Sequence, residues 1–439
     1  MSNSLQELEK KIIKLVREYG EEKYSENSFE PGVSHVPVSG KLLSSYELEL
    51  MTSAVLDGWL TAGRFNSEFE KQLSNITGSK FSLSTNSGSS ANLLAISALT
   101  SPLLNDRKLY PGDEIITVAA GFPTTINPII QNNLIPVFVD IDINYLNIDV
   151  KLIEDAITEK TKAIFVAHTL GNPFDEIEIS KIAKKHNLWL IEDCCDALGA
   201  KVNNKMVGSL GDIGTFSFYP AHHITMGEGG AVFTNNAKLK KILESFRDWG
   251  RDCYCAPGCD NTCKRRFEWQ LGSLPFGYDH KYIYSHCGYN LKITDIQAAC
   301  GLAQLKRIDE FINKRVSNYS YLLENLCDLD NFLFFPKAIK SASPSWFGFP
   351  VILKNDQAGA REKLLSYLDS KNIGTRLIFA GNVIKQPYFN NDIKYRISGT
   401  LENTDKIMNK AFWLGLFPGL SVDMLDYVII SIKEYFHRQ

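Results

Sequence analysis

The strongest constraint on this chain is an alternation: short apolar runs recur through its first half, with helical patterns between them. The runs fall at residues 80–84, 113–118, 135–139, 163–168, 188–191 and 214–218. The first continues through Ser87-Gly88-Ser89-Ser90 into a helical stretch at 91–99, and 176–186 repeats the helical pattern. Continuous apolar runs of this length suit strands buried on both faces. Strands that alternate with helices build a mostly parallel sheet flanked by helices, so the expected fold class is α/β. The 439 residues allow two or three domains. An N-terminal helix and arm is expected over 1–45, with Leu5, Leu8, Ile12 and Val16 at helical spacing before Pro31 and Pro37. A large domain follows over 46–293, broken at about 250–285 by an insertion with no helical or strand period. A long helical pattern from 294 to about 326 then links to a smaller C-terminal α+β domain ending at 439. That domain has a strand at 347–353 and helices at 360–370 and 424–436.

Charge and hydropathy exclude several roles. The formal net charge is −3 and the densest basic run is Lys264-Arg265-Arg266, which gives no footing for nucleic acid or a membrane surface. The N-terminus lacks the apolar core of a signal peptide, and no stretch is apolar enough to span a bilayer. A cytoplasmic protein is expected. Nine cysteines, an odd number, argue against a disulfide framework in that compartment. Four of them, Cys253, Cys255, Cys259 and Cys263, crowd into eleven residues, a density that suits a soft metal. Their spacing matches neither zinc-finger pairs nor ferredoxin runs, and by itself leaves zinc, iron–sulfur and free thiols open.

Three stretches carry candidate chemistry. Ser87-Gly88-Ser89-Ser90 stands between a strand and a helix, where small residues, hydroxyls and a helix N-terminus favour an anion such as phosphate. Asp193 ends the strand Leu188–Ile191–Glu192. The third stretch runs from Gly214 to Gly230: a β-branched and aromatic strand, Tyr219-Pro220, two histidines, and a Gly-rich turn.

These stretches resemble the cofactor segments of the sugar-nucleotide aminotransferases related to aspartate aminotransferase, the fold type I pyridoxal phosphate (PLP) enzymes. In that family a lysine five residues after the Ser of Ser-Phe holds PLP covalently. Counted from Ser217, that place is occupied here by His222, and no lysine lies between Lys205 and Lys238. The resemblance therefore implies pyridoxamine 5′-phosphate (PMP) held non-covalently, with His222 as the base, a role suited to a side chain that titrates near neutrality. It further implies Gly88, Ser89 and Ser217 at the cofactor phosphate, Asp193 at the pyridine nitrogen and Phe122 against the ring. Asn290, in Gly288-Tyr289-Asn290, would reach the phosphate of a neighbouring subunit and so implies a homodimer with shared sites.

The likeness is sharpest to the CDP-6-deoxy-L-threo-D-glycero-4-hexulose-3-dehydrase family, which serves 3,6-dideoxyhexose synthesis for lipopolysaccharide O-antigen. It rests on Ile191-Glu192-Asp193-Cys194-Cys195-Asp196, on Tyr219-Pro220-Ala221-His222-His223, and on Asp248-Trp249-Gly250-Arg251-Asp252-Cys253-Tyr254-Cys255. Cys195, Cys253, Cys255 and Cys263, separated by 57, one and seven residues, match that family's [2Fe–2S] pattern. The implied activity is removal of the C3 hydroxyl of CDP-4-keto-6-deoxy-D-glucose. Reduction would run through the cluster from a separate NADH-dependent flavin/iron–sulfur reductase, since the chain has no dinucleotide fingerprint of its own. Asp196, Tyr219 and Phe347 match positions that shape that family's pocket and support the base. Two rivals belong to other classes: a PLP-dependent aminotransferase, which the missing lysine disfavours, and a cluster-free PMP dehydratase–deaminase of the colitose type. A non-enzymatic zinc-binding interaction protein would leave the phosphate cradle and His222 without a role.

Overall fold

The structure is a computed structural model that describes residues 3–25, 28–355 and 357–437. Its centre is an eight-stranded sheet. In spatial order the strands are Phe81–Thr85, Gly230–Thr234, Ile213–Ser217, Trp189–Asp193, Thr161–Ala167, Glu114–Val118, Ile135–Val139 and Arg396–Ile397. All neighbours pair in parallel except at Gly230–Thr234, which runs antiparallel to both of its partners. Four of the central strands are buried along their whole length or nearly so. This is why their sequences read as unbroken apolar runs rather than alternating ones. One face of the sheet packs a core containing Ile116, Val137, Ile164 and Leu190, the other a core containing Ile115, Phe165, Ile191 and Val232.

Helices carry the chain between strands. Gly88–Ala98 starts immediately after the first strand, with the Ser87 hydroxyl accepting from Ser90 N at 3.0 Å as its N-cap, an arrangement that satisfies an otherwise orphan donor. A second sheet of four antiparallel strands, ordered Leu333–Phe334, Gly348–Leu353, Ala411–Gly415 and Thr375–Arg376, has its own apolar cluster under the helices Ala360–Ser370 and Val422–His437.

Three features depart from the sequence reading. The single helix expected over 294–326 is two, Asp295–Leu305 and Ile308–Leu326. No Pro or Gly marks the break; Arg307 leaves the helical region at φ −107°, ψ 7°, a turn set by packing. The strand Gly230–Thr234 starts at the last residue of the expected Gly-rich turn and was not anticipated. The strand Arg396–Ile397 brings the C-terminal segment onto the edge of the large sheet, and Arg396 anchors it there through two hydrogen bonds to Glu114 at 2.9 and 2.7 Å. Among the described residues, no helix is long and apolar enough to cross a membrane.

Candidate active site

The carboxyl ends of parallel strands are where open α/β sheets bind ligands, and a cavity of about 1100 Å³ lies there. It takes Asp193 from the end of one strand, Ser217 from its neighbour, and Phe122, Gly88 and Ser89 from the first turns of two helices. Cys195, Asp196, Tyr219, His222 and Phe347 also line it. The structure thus gathers every expected site residue except Asn290, Cys253, Cys255 and Cys263.

Asp193 is held rigidly. Its Oδ2 accepts from Asn92 Nδ2 at 2.8 Å and Thr125 Oγ1 at 2.7 Å, and its Oδ1 from Cys195 N at 3.1 Å. Thr215 Oγ1 in turn donates to Asn92 Oδ1 at 2.6 Å. Asn92, Thr125 and Thr215 were missed from sequence. Asn92 lies one turn into the helix that starts at Gly88, and that position beside a strand-end carboxylate was the available signal. Behind Asp193, on the opposite face of the strand, Glu192 accepts from Gly208 N and Gly211 N at 3.0 and 2.7 Å and from His168 Nε2 at 3.1 Å. Burial, with the Glu192 carboxylate beside it, pushes Glu176 up to about 9, so Glu176 is protonated at neutral pH and can donate to Glu192.

The end where the phosphate is expected is tight. A Cβ built on Gly88 would stand 2.4 Å from Ser217 Cβ and 3.0 Å from Cys195 Sγ, so only glycine lets the helix N-terminus meet the strand end. Ser89 is exposed to the cavity. Phe122 is half exposed and meets Phe379 edge-on, ring centres 5.9 Å apart.

The two adjacent histidines diverge. His222 lines the cavity, its ring 5.2 Å from that of Phe347 and its Nδ1 3.5 Å from Asp196 Oδ1. This Nδ1 is buried and has no hydrogen-bond partner. Burial, helped by the Arg315 charge, lowers the His222 pKa to about 3, so the imidazole is neutral in the physiological range. Burial and the neighbouring Asp193 raise Asp196 to about 8. His223 turns away and donates from Nε2 to Ser345 O at 2.9 Å. Tyr219 is half exposed at the cavity wall. No lysine is among the residues that line the cavity.

These residues fit PMP. An anion cradle at Gly88, Ser89 and Ser217, a pinned carboxylate, an aromatic face and an unpartnered neutral imidazole surround one space, and no amine is placed to bind an aldehyde.

The four cysteines of the expected [2Fe–2S] set line two cavities. Cys253, Cys255 and Cys263 line a small cavity of the insertion with Asn261, Arg266, His280 and Lys281, whereas Cys195 lines the large cavity beside Gly88, and the two cavities share no residue. A spacing of 57 residues sets no distance between a strand end and a point inside an irregular loop. Cys255 nonetheless suits a metal: partial burial raises its pKa, but hydrogen bonds from Thr262 and the backbone outweigh this and bring it to about 7. Cys194 is fully buried and Cys259 exposed. Asn290 is exposed, outside this chain's own cavity, and accepts from Lys292 Nζ at 2.9 Å.

Comparison with known proteins bears on the same site. The chain is 62% identical over 429 residues to the lipopolysaccharide biosynthesis protein RfbH of Salmonella typhimurium, covering 98% of each chain. It is 48% identical over 425 residues to dTDP-4-dehydro-2,6-dideoxy-D-glucose 3-dehydratase of Saccharopolyspora spinosa, covering 97% of this chain and 91% of that one. Among solved structures, E. coli GDP-4-keto-6-deoxy-D-mannose-3-dehydratase with bound hydrated PLP superposes with a TM-score of 0.80 at 30% identity, over 91% of this chain and 99% of that one. These matches establish the fold type I architecture and a PLP- or PMP-using enzyme of nucleotide-linked sugars. Residues 43–433 match the model of the DegT/DnrJ/EryC1/StrS aminotransferase family, and the chain belongs to that family.

Proposed function

We propose that the protein is a PMP-dependent 3-dehydratase of a nucleotide-linked 4-keto-6-deoxyhexose in lipopolysaccharide dideoxy-sugar synthesis, with His222 as the base. The observation that carries this reading is an unpartnered, neutral His222 in a lysine-free cavity beside Asp193. PMP, when bound, supplies an amine for the sugar ketone and a ring that accepts electron density. Gly88, Ser89 and Ser217 would hold its phosphate, Phe122 would lie against the ring, and Asp193, fixed by Asn92 and Thr125, would hold a proton on the ring nitrogen. His222 Nδ1 faces Asp196, which leaves Nε2 to take the proton whose removal drives the C3 hydroxyl out. Tyr219 and Phe347 wall the sugar end. Asn290 would serve the site of a second copy, as in a homodimer.

The test is to incubate the protein with PMP and CDP-, GDP- or dTDP-linked 4-keto-6-deoxyhexose carrying 18O at C3. Release of labelled water with PMP supports the reading, and retention of the label with all three overturns it. The motif likeness to the CDP-sugar dehydrases favours the CDP-linked sugar.

Two endings of the reaction are distinguishable. A cluster-free, colitose-type ending is supported by the 3-dehydratase relatives. The trio Cys253, Cys255 and Cys263 around one small cavity favours the second: a [2Fe–2S] centre and an NADH-dependent reductase. Iron and acid-labile sulfide on anaerobically purified protein separate them. About two of each per chain selects the second ending, and neither element selects the first.

A further inference from the structure

Arg315 is among the largest fully buried side chains of the protein, at 1% exposure, and sits in the helix Ile308–Leu326. Its four hydrogen bonds all go to backbone carbonyls on two separate segments. Nη2 donates to Ala221 O and His222 O at 3.4 and 3.3 Å, and Nη1 to Trp346 O and Phe347 O at 3.4 and 3.0 Å. The guanidinium lies 5.8 Å from the Phe347 ring centre, and its Nε has no partner. The carboxyl group that interacts with its charge is Asp196, whose Oδ1 stands 3.5 Å from His222 Nδ1. A buried cation bound only to carbonyls is a costly arrangement, and a simpler apolar residue would fill the space. What the guanidinium adds is geometry: a planar fork that reaches two segments at once, which an ammonium does not.

We propose that Arg315 is a positioning residue for proton removal, clamping the His222 backbone to the Phe347 segment so that the imidazole and the sugar wall keep a set separation. This rests on the reading of His222 as the base. The clamp has a companion, since His223 ties the same two segments through Ser345 O, and Ser345 and Phe347 are themselves held by Gly171 and Leu170. The ionisable groups that face the His222 ring are Asp196 and Arg315, with His223 next in the chain. The Arg315 charge lowers the pKa of His222, so its removal shifts the His222 titration upward.

The test compares Arg315→Met and Arg315→Lys with the wild type in three readouts. These are PMP binding by absorbance, the His222 imidazole titration by 15N NMR on PMP-free protein, and the rate of C3-oxygen loss from CDP-4-keto-6-deoxy-D-glucose. For Arg315→Met the expected result is PMP affinity within about threefold, a raised His222 titration, and kcat down by about 100-fold, the scale of a 1 Å misplacement. Arg315→Lys keeps the charge, so it restores the titration but not the rate. A lysine variant with full rate, or a methionine variant with unchanged kcat, overturns the proposal. If Arg315→Met does not fold, the lysine variant decides alone. Full turnover in His222→Asn sinks the base itself, whereas normal rates in both Arg315 variants with an inactive His222→Asn sink only the clamp.

Discussion

The cavity and the cysteine-rich insertion are built on opposite plans. In the cavity, side chains stand at the ends of adjacent parallel strands and behind them lies a buried network: Thr215 to Asn92 to Asp193, and His168 to Glu192. The insertion has almost no apolar interior. Phe267, Phe276 and Tyr282 are exposed, and the loop is held by polar pairs, Arg266 with Asp279 at 2.6 Å and His280 with Asp252 at 2.7 Å. Two cavity residues separated along the chain are thus fixed in space by strand pairing. Two cysteines of the insertion are placed only by the local course of a loop.

The largest expected effect tests the cavity. His222→Asn should leave PMP bound and lower C3-oxygen release by about 10³-fold, within the range of a lost general base; absorbance of the bound cofactor and mass spectrometry of the product check both halves. A milder effect compares the two regions directly. Cys255→Ser should remove whatever iron or zinc the purified protein carries, while Cys195→Ser leaves it in place. Equal metal loss in both variants would mean that the two cavities join at a four-sulfur site.

The smallest effect lies in the network beneath Asp193. Glu176 titrates at about 9 in the fold against an ordinary carboxyl value when unfolded. Between those values the folded state binds more protons, so stability falls as pH rises through the window. Glu176→Gln keeps a donor toward Glu192 and an acceptor for Leu210 N. Thermal melts from pH 6 to 9 should fall less steeply for the variant, by a few degrees across the range; parallel curves would show that Glu176 is not the titrating group.

Much of the fold was legible in the residues. The apolar runs at 135–139 and 214–218 lie within a residue of the strands Ile135–Val139 and Ile213–Ser217, because a strand covered on both faces admits little else. The exchange of lysine for His222 was legible through the resemblance to the fold type I enzymes, since a count of five from Ser217 crosses one strand end and a short turn. The break at Arg307 was not: it lacks a Pro or Gly and follows from how two helices pack. Neither was the strand Gly230–Thr234, because Gly229-Gly230 at its start reads as turn until a neighbour supplies the hydrogen bonds.

Sequence by itself therefore determined the α/β class, which depends on spacing along regular elements, and its resemblance to the fold type I enzymes pointed to Gly88, Ser89, Ser217 and His222, which line one cavity. Only the tertiary structure decided that His222 faces the cavity while His223 turns to Ser345, that Asn92 and Thr125 pin Asp193, that Arg315 joins two distant segments, and that Cys195 lines the large cavity. Each of these is a long-range relation, set by which surfaces the packed core brings together and carried by no spacing along the chain.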